Sequence, residues 1–142
     1  MKVIDATGLI LGRMATRVAK MALMGEEVKI VNCEKAIISG KQNQVLAKWR
    51  ERKHRTDPVK GPFISILPDR IVRRAIRGML PHKNAKTETA RGIMAFKRVM
   101  CYISVPDELK TAKFETVVGA ESDRLTSEYI TLARLSQLLR TK

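Results

Sequence analysis

The sequence has 142 residues, 44% of them apolar, which excludes a broadly disordered chain and predicts a single domain over residues 1–142. It carries 28 Lys and Arg against 14 Asp and Glu, so the net charge of +14 favours a polyanionic partner, first nucleic acid and second an anionic membrane surface. No run approaches the roughly 18 apolar residues of a membrane span, and Asp5 interrupts the N-terminal apolar stretch, so neither a span nor a secretory signal is expected.

The first forty residues follow a strand, helix, strand pattern. Residues 3–6 predict a short buried strand, and residues 11–24 predict a helix that ends at Gly25. Apolar residues recur on this helix at helical spacing: Leu11, Ala15, Val18, Ala19 and Ala22. β-branched residues predict a second strand over 27–33, and residues 36–39 fit a third strand or a strand edge. The pattern indicates a βαβ unit with parallel strands.

The middle of the chain predicts two helices separated by a loop. Residues 41–55 predict a helix that turns Val45, Leu46 and Trp49 inward. Residues 56–68 contain three prolines and one glycine and predict an ordered loop.

The second of these helices, predicted over residues 69–79, has an unusual charge pattern. Arg70, Arg73, Arg74 and Arg77 are spaced to share one face, which no glutamate interrupts, and like charges at these offsets repel one another. Apolar residues fill the other side: Ile71, Val72, Ala75, Ile76 and Met79. Asp69 is expected to cap the start, and Gly78 with Pro81 to end the helix. The face is either a solvated basic surface or a contact for a polyanion.

The last third is less regular. Residues 80–90 predict a basic turn, residues 88–99 a helix and residues 99–106 a strand, while residues 107–124 match no element well. Residues 127–140 predict a final helix whose apolar residues are available for packing: Ile130, Leu135, Leu138 and Leu139.

Signals for enzyme chemistry are weak. The turn containing Gly8 and Gly12 lacks the spacing of a dinucleotide fingerprint, and residues 38–41 lack the first glycine of a phosphate-binding loop. Asp5 is expected to cap the backbone of Gly8 rather than to act as an acid or base. His54 and His82 lie in basic surface segments, where satisfied surface histidines are the simpler interpretation. No catalytic residue, metal or cofactor is expected.

The two cysteines give little functional information. Cys33 and Cys101 each lie in an apolar, strand-like run, which predicts two buried free thiols in a reducing compartment more than a disulfide. Two Cys and two His without close spacing do not make a zinc motif.

The charge surplus is concentrated in one third of the chain. Residues 48–98 carry a net +11, whereas residues 1–47 carry +3 and residues 99–142 are neutral. Aromatic residues are only 4%, which disfavours a stacking platform for single strands and favours contact with phosphates and folded RNA. The predicted RNA-binding residues are Arg13, Arg17, Lys20, Lys41, Lys48, Arg52, Lys53, His54, Arg55, Lys60, Arg70, Arg73, Arg74, Arg77, His82, Lys83, Lys86, Arg91, Lys97 and Arg98.

Several segments together resemble a known family. The chain resembles the universal large-subunit ribosomal protein family thirteen in three segments: DATGLILGRMAT, IVNCEKAIISGK and PFISILPDRIVRRAIRGMLPHK. The resemblance spans almost the whole chain. RGMLPHK resembles the archaeal and eukaryotic branch, and without the long C-terminal helical extension of the eukaryotic proteins an archaeal-type member is expected.

The resemblance implies a three-layer α/β/α domain around a small, mostly parallel sheet, with basic helices and loops for RNA. It implies a structural constituent of the large ribosomal subunit that binds ribosomal RNA, stabilises its fold and assists assembly. Partners would be large-subunit RNA and neighbouring ribosomal proteins in the cytoplasm, with no membrane, no small-molecule substrate and no homo-oligomer. The alternative is an extra-ribosomal regulator of translation that binds messenger RNA.

Overall fold

The computed structural model describes residues 1–55, 57, 59–81 and 90–141. The strands are β1 Lys2–Asp5, β2 Val28–Val31, β3 Ile37–Ser39, β4 Val99–Cys101, β5 Phe114–Glu115 and β6 Tyr129–Thr131. The α-helices are α1 Leu11–Leu23, α2 Gln42–His54, α3 Pro68–Gly78, α4 Arg91–Lys97 and α5 Leu132–Arg140. Three short 3-10 helices cover Cys33–Lys35, Asp107–Leu109 and Ser122–Arg124.

The main sheet has the strand order β4-β2-β1-β5, and every neighbouring pair in it is parallel. Ile4 of β1 pairs with Ile30 of β2, which in turn pairs with Cys101 of β4. Strands β3 and β6 form a separate antiparallel ribbon. The α/β class, the mostly parallel sheet and the βαβ unit formed by β1, α1 and β2 are confirmed.

The core lies mainly on one face of the sheet. Ile4 and Ile30 point to this face, where they join buried side chains from all five helices in one continuous apolar cluster. Neighbouring strand residues point to the opposite face, because side chains alternate along a strand. There Val3 and Val31 are covered by Leu109 of the 3-10 helix Asp107–Leu109 and by Tyr102. The helical layer is therefore thick, and the layer on the second face is thin.

Strands β2 and β4 are shorter than predicted. β2 ends at Val31 because Asn32 adopts a left-handed conformation, with φ of 54°, and Cys33 then opens a 3-10 helix. Ladder pairing of β4 ends at Cys101, and Ser104 likewise has a positive φ of 58°. Cys33 is fully buried whereas Cys101 is half-buried, and both are free thiols. Two effects raise the pKa of Cys33 well above its usual range. The larger is a hydrogen bond with the Cys101 thiol, and the smaller is burial of the Cys33 side chain.

The C-terminal helix starts later than the apolar pattern predicted. Residues Tyr129–Thr131 are strand β6, and α5 begins only at Leu132. The Thr131 hydroxyl caps this helix by accepting a hydrogen bond of 3.3 Å from the backbone N–H of Arg134. The predicted helix over 88–99 is observed as the shorter α4, although residues 88 and 89 lie outside the described residues.

Candidate nucleic-acid interface

Helix α3 begins in a way that differs from the prediction. Pro68 occupies its first turn, where a missing backbone N–H leaves no helical hydrogen bond unmade, and the N-cap is Leu67. Asp69 therefore lies inside the first turn, and the prediction that it caps the helix is wrong. One Asp69 carboxylate oxygen is buried and has no hydrogen-bond partner within the described part of the chain. The negative charge still lies near the positive end of the helix dipole.

The two faces of α3 are separated largely as predicted. Ile71, Val72 and Ile76 are buried in the core. Arg70, Arg74 and Arg77 are exposed on the other side. Met79, predicted for the apolar side, is 43% exposed, and its sulfur lies 3.5 Å from the Thr16 hydroxyl of α1. Three of the four arginines are thus oriented toward solvent.

Arg73 is the exception on this helix. It is half-buried, and its guanidinium carbon lies 4.6 Å from the centroid of the Phe96 ring of α4. Its Nε atom is buried without a hydrogen-bond partner among the described residues. A guanidinium at this distance from an aromatic face makes a cation–π contact. The expectation of four equivalent outward arginines is therefore wrong at Arg73, which helps to dock α4 against α3.

Helix α1 carries a second basic stripe beside α3, against which it packs. Arg13, Arg17 and Lys20 are exposed, opposite the buried residues of the same helix, as the spacing predicted. Arg13 and Arg17 also line a shallow depression of about 230 Å³ next to the loop at Gly119. The stripe is therefore accessible to a large polyanion.

Helix α2 places most of its cations in solvent. Lys48, Arg52, Lys53, His54 and Arg55 are all exposed. Lys53 and Arg55 make polar contacts with described residues: the Lys53 ammonium donates a 3.2 Å hydrogen bond to the Leu139 carbonyl, and Arg55 forms an ion pair with Glu51.

Trp49 of the same helix is only half-buried, although its spacing predicted an inward side chain. The Arg52 guanidinium carbon lies 5.5 Å from its ring centroid. Part of the indole therefore remains at the surface.

The remaining predicted residues lie outside helices α1, α2 and α3. Lys41 precedes α2, and Lys60, Arg91 and Lys97 are exposed. Arg98 is half-buried and its guanidinium lies 3.5 Å from the Ala22 carbonyl, so part of its hydrogen-bonding capacity is used within the protein. His82, Lys83 and Lys86 lie outside the described residues.

A cleft of about 750 Å³ brings three of these basic elements together. Arg13 of α1, Lys48 and Arg52 of α2 and Arg74 of α3 all line it. Trp49 and apolar residues of β3 and α3 form its inner wall. We call this feature the Trp49 cleft. Sequence spacing placed each cation on its own helix but gave no signal that the helices converge here.

The basic surface has few carboxylate partners. Ion pairs in the described part of the chain are Lys2–Glu26, Arg55–Glu51 and Lys110–Asp107. Arg55 is therefore a predicted RNA-binding residue whose charge is already paired with a carboxylate. Arg70, Arg74 and Arg77 of α3 have no carboxylate partner among the described residues, so their charge is available to an external anion.

The turn after β1 is closed by internal hydrogen bonds. Burial acts to raise the pKa of Asp5, but hydrogen bonds from Asn32 and from the hydroxyl and N–H of Thr7 outweigh it, and the pKa is lowered. The Thr7 N–H lies 3.0 Å from an Asp5 carboxylate oxygen, so Asp5 caps Thr7 rather than the predicted Gly8. The N–H of Gly8 donates instead to the Lys35 carbonyl at 3.3 Å. These N–H groups are thus directed at the protein and not at a nucleotide.

Within the described ranges, no group of three His, Cys, Asp or Glu side chains is arranged to hold a metal ion. None of the helices that the structure describes is long and apolar enough to cross a bilayer.

Comparison with known proteins identifies close relatives. Residues 1–108 match the family model described as Ribosomal protein L13. The chain is 43% identical over 143 residues to the large ribosomal subunit protein uL13 of Methanococcoides burtonii, covering 100% of this chain and 99% of the relative. It is 46% identical to the protein of the same name from Methanosarcina barkeri, with the same coverage of both chains. The Methanopyrus kandleri protein is also 46% identical, over 96% of this chain and 85% of its own length.

Proposed function

This chain belongs to the ribosomal protein L13 family, with archaeal relatives along its full length, and from that premise we propose that it binds ribosomal RNA within the large subunit. The family supports a role as a structural constituent of the ribosome. We infer further that the protein stabilises the fold of the RNA and assists subunit assembly. The RNA-binding unit extends over residues 1–142, with the basic segment 48–98 within it.

The observation that carries this proposal is the exposed charge of α1 and α3, most of which has no carboxylate partner among the described residues. Arg17, Arg74 and Arg77 are exposed, and none of the three has an ion-pair partner among the described residues. Arginine suits this role because its planar fork donates two hydrogen bonds to a phosphate. RNA phosphates supply the negative charge that the protein's own sequence does not.

The first test is the salt dependence of RNA binding. If about six phosphates are engaged, affinity for deproteinised large-subunit RNA should fall by roughly a thousandfold between about 50 and 200 mM salt. Arg74→Glu with Arg77→Glu should weaken binding most at low salt and make the salt dependence shallower, because fewer phosphates are engaged. Circular dichroism should remain unchanged because both side chains face solvent. Fluorescence anisotropy of end-labelled RNA measures both effects.

A matched control reverses two charges elsewhere. Lys113→Glu with Arg134→Glu alters exposed residues in the neutral third of the chain. This variant should retain much more of the RNA affinity than the α3 variant. A flat salt response, or equal losses for the two double variants, would count against a localised phosphate-binding surface.

Ribosome association separates this proposal from the messenger-RNA regulator. On a sucrose gradient, a large-subunit protein remains with its particle after a moderate salt wash, whereas a regulator of translation dissociates or migrates with messenger RNA. We place the protein in the cytoplasm, where the large subunit resides, with ribosomal RNA and neighbouring ribosomal proteins as partners. The proposal includes neither catalysis, nor a cofactor, nor a homo-oligomer.

A further inference from the structure

The Trp49 cleft differs in character from the rest of the basic surface. Phosphate contacts need only exposed cations, but this cleft is also lined by the apolar residues Ile10, Leu11, Ile37, Ile38 and Ala75. Its volume is about 750 Å³. Apolar residues and cations that line one cleft indicate an occupant that is both hydrophobic and anionic.

The indole of Trp49 supplies a flat surface within this cleft. The side chain is half-buried on helix α2 and lines the cavity directly. The Arg52 guanidinium lies over the indole, with its carbon 5.5 Å from the ring centroid, and Arg52 also lines the cleft. Unstacked bases are held in proteins by stacking on aromatic rings and on guanidinium planes. The pair forms a small stacking surface suited to one base.

The cations around the opening of the cleft determine which chemical group can accompany the base. Arg13, Lys48, Arg52 and Arg74 reach it from three different helices, and all four are exposed. None of the described residues that line the cleft carries a carboxylate. The rim is therefore complementary to a phosphate, and the rim and wall together match the two parts of a nucleotide.

We propose that the Trp49 cleft binds one unpaired nucleotide of the RNA, with its base against Trp49 and its phosphate between the rim cations. This inference rests on the proposed RNA-binding function and makes it more specific. A base that remains stacked and paired within a duplex exposes only its edge, so it does not reach the indole face. The cleft would thus recognise a bulged or looped nucleotide, while α3 and α1 bind the surrounding backbone.

The single tryptophan makes this proposal directly measurable. Trp49 is the only Trp in the chain, so tryptophan emission of the full-length protein, excited where the two tyrosines do not absorb, reports on this cleft alone. Deproteinised large-subunit RNA should quench the fluorescence, because a base stacks on the indole. Inorganic polyphosphate, which offers charge without bases, should bind with little quenching. Equal quenching by both, or none by RNA that binds, would overturn the inference.

Substitution gives a second, independent test. Trp49→Ala should lower affinity for large-subunit RNA by roughly 5- to 100-fold, the range expected when one base–aromatic stack is lost. Trp49→Phe retains an aromatic face and should lose much less. If the alanine variant does not fold, the quenching experiment still tests whether a base stacks on Trp49, because it uses the unaltered protein.

The outcomes also separate this inference from the broader function. Anisotropy of end-labelled RNA measures binding without using Trp49. Tight, salt-sensitive binding with unchanged tryptophan emission refutes the nucleotide subsite and leaves the RNA-binding function standing. Absence of RNA binding refutes both. In assembled large subunits, ultraviolet cross-linking that joins Trp49 to a neighbouring protein segment instead of RNA would also overturn the proposal.

Discussion

Single residues of the same type have different uses in this molecule. Arg73 lies one position from Arg74 in the sequence, yet its guanidinium stacks on Phe96 at 4.6 Å while Arg74 faces the solvent. A cation–π contact of this kind contributes about 0.5–2 kcal/mol, depending on its exposure. Arg73 therefore stabilises the packing of α4 on α3, and the arginines beside it remain available for an external ligand.

Asp5 gives a testable case at the same scale. One of its oxygens accepts hydrogen bonds from the Thr7 N–H at 3.0 Å, the Thr7 hydroxyl at 2.7 Å and the Asn32 amide at 3.0 Å. Asp5→Ala should lower the free energy of unfolding by about 1–3 kcal/mol at pH 7, because these donors lose a shared acceptor. Asp5→Asn should cost less, since its amide oxygen still accepts hydrogen bonds. Urea denaturation measures both.

The pH dependence of that difference follows from the lowered pKa. Because the folded-state pKa lies below the unfolded value of 3.8, the unfolded chain takes up the proton first as pH falls. The Asp5 charge contributes its full stabilisation of the fold above the unfolded-state pKa of 3.8. This stabilisation is lost as the pH falls through the folded-state pKa. The stability gap between wild type and Asp5→Ala should therefore narrow below about pH 4. A gap that stays constant from pH 6 to pH 3 would contradict this account.

At the scale of elements, the short helix α4 depends on a close approach. Gly92 is buried, and a Cβ added there would overlap the backbone carbonyl oxygen of Pro81. Ala95 on the same helix is fully buried, and Phe96 receives Arg73. Helix α4 thus rests directly on the chain that leaves α3, which positions both helices relative to the sheet.

Substitution of this glycine should disrupt the docking. Gly92→Ala should lower the free energy of unfolding by about 1–3 kcal/mol, because a methyl group is forced against rigid backbone. The control is Gly78→Ala at the end of α3, where an added Cβ meets nothing within 4 Å. That control should change stability little or raise it slightly. Equal stabilities of the two variants in urea would show that α4 does not need the close contact.

The whole molecule carries more positive charge than it neutralises. Its net charge is +14, and the described residues contain three ion pairs, two of which join residues close in sequence. The free protein is therefore destabilised by repulsion between its own cations, and salt should relieve part of this.

Thermal unfolding of the whole protein tests the repulsion between its cations. The melting temperature should rise by a few degrees between about 20 and 200 mM NaCl, where 1 kcal/mol corresponds to roughly 3 °C for a chain of this size. Choline chloride at equal ionic strength should raise the melting temperature as much as NaCl does if charge screening is the cause. Arg74→Glu with Arg77→Glu should reduce the salt response because it lowers the net charge. A melting temperature that falls with salt would contradict the repulsion.

Much of the architecture was predictable because its signals are local. The helical spacing of Val18, Ala19 and Ala22 places α1 and its buried face, and the spacing in α3 correctly separates Ile71, Val72 and Ile76 from the exposed arginines. The family was likewise recognisable from sequence segments alone. The extent of β6 was not, because its antiparallel partner β3 lies about ninety residues earlier in the chain.

The sequence by itself determined the α/β class, the parallel βαβ unit, the faces of the basic helices and the position of the charge surplus, since all depend on local periodicity and composition. Only the tertiary structure decided that Asn32 ends β2, that Arg73 stacks on Phe96, and that α1, α2 and α3 converge around Trp49. These features depend on contacts between residues far apart in the chain. Such contacts are set by how the elements pack, and no single segment encodes them.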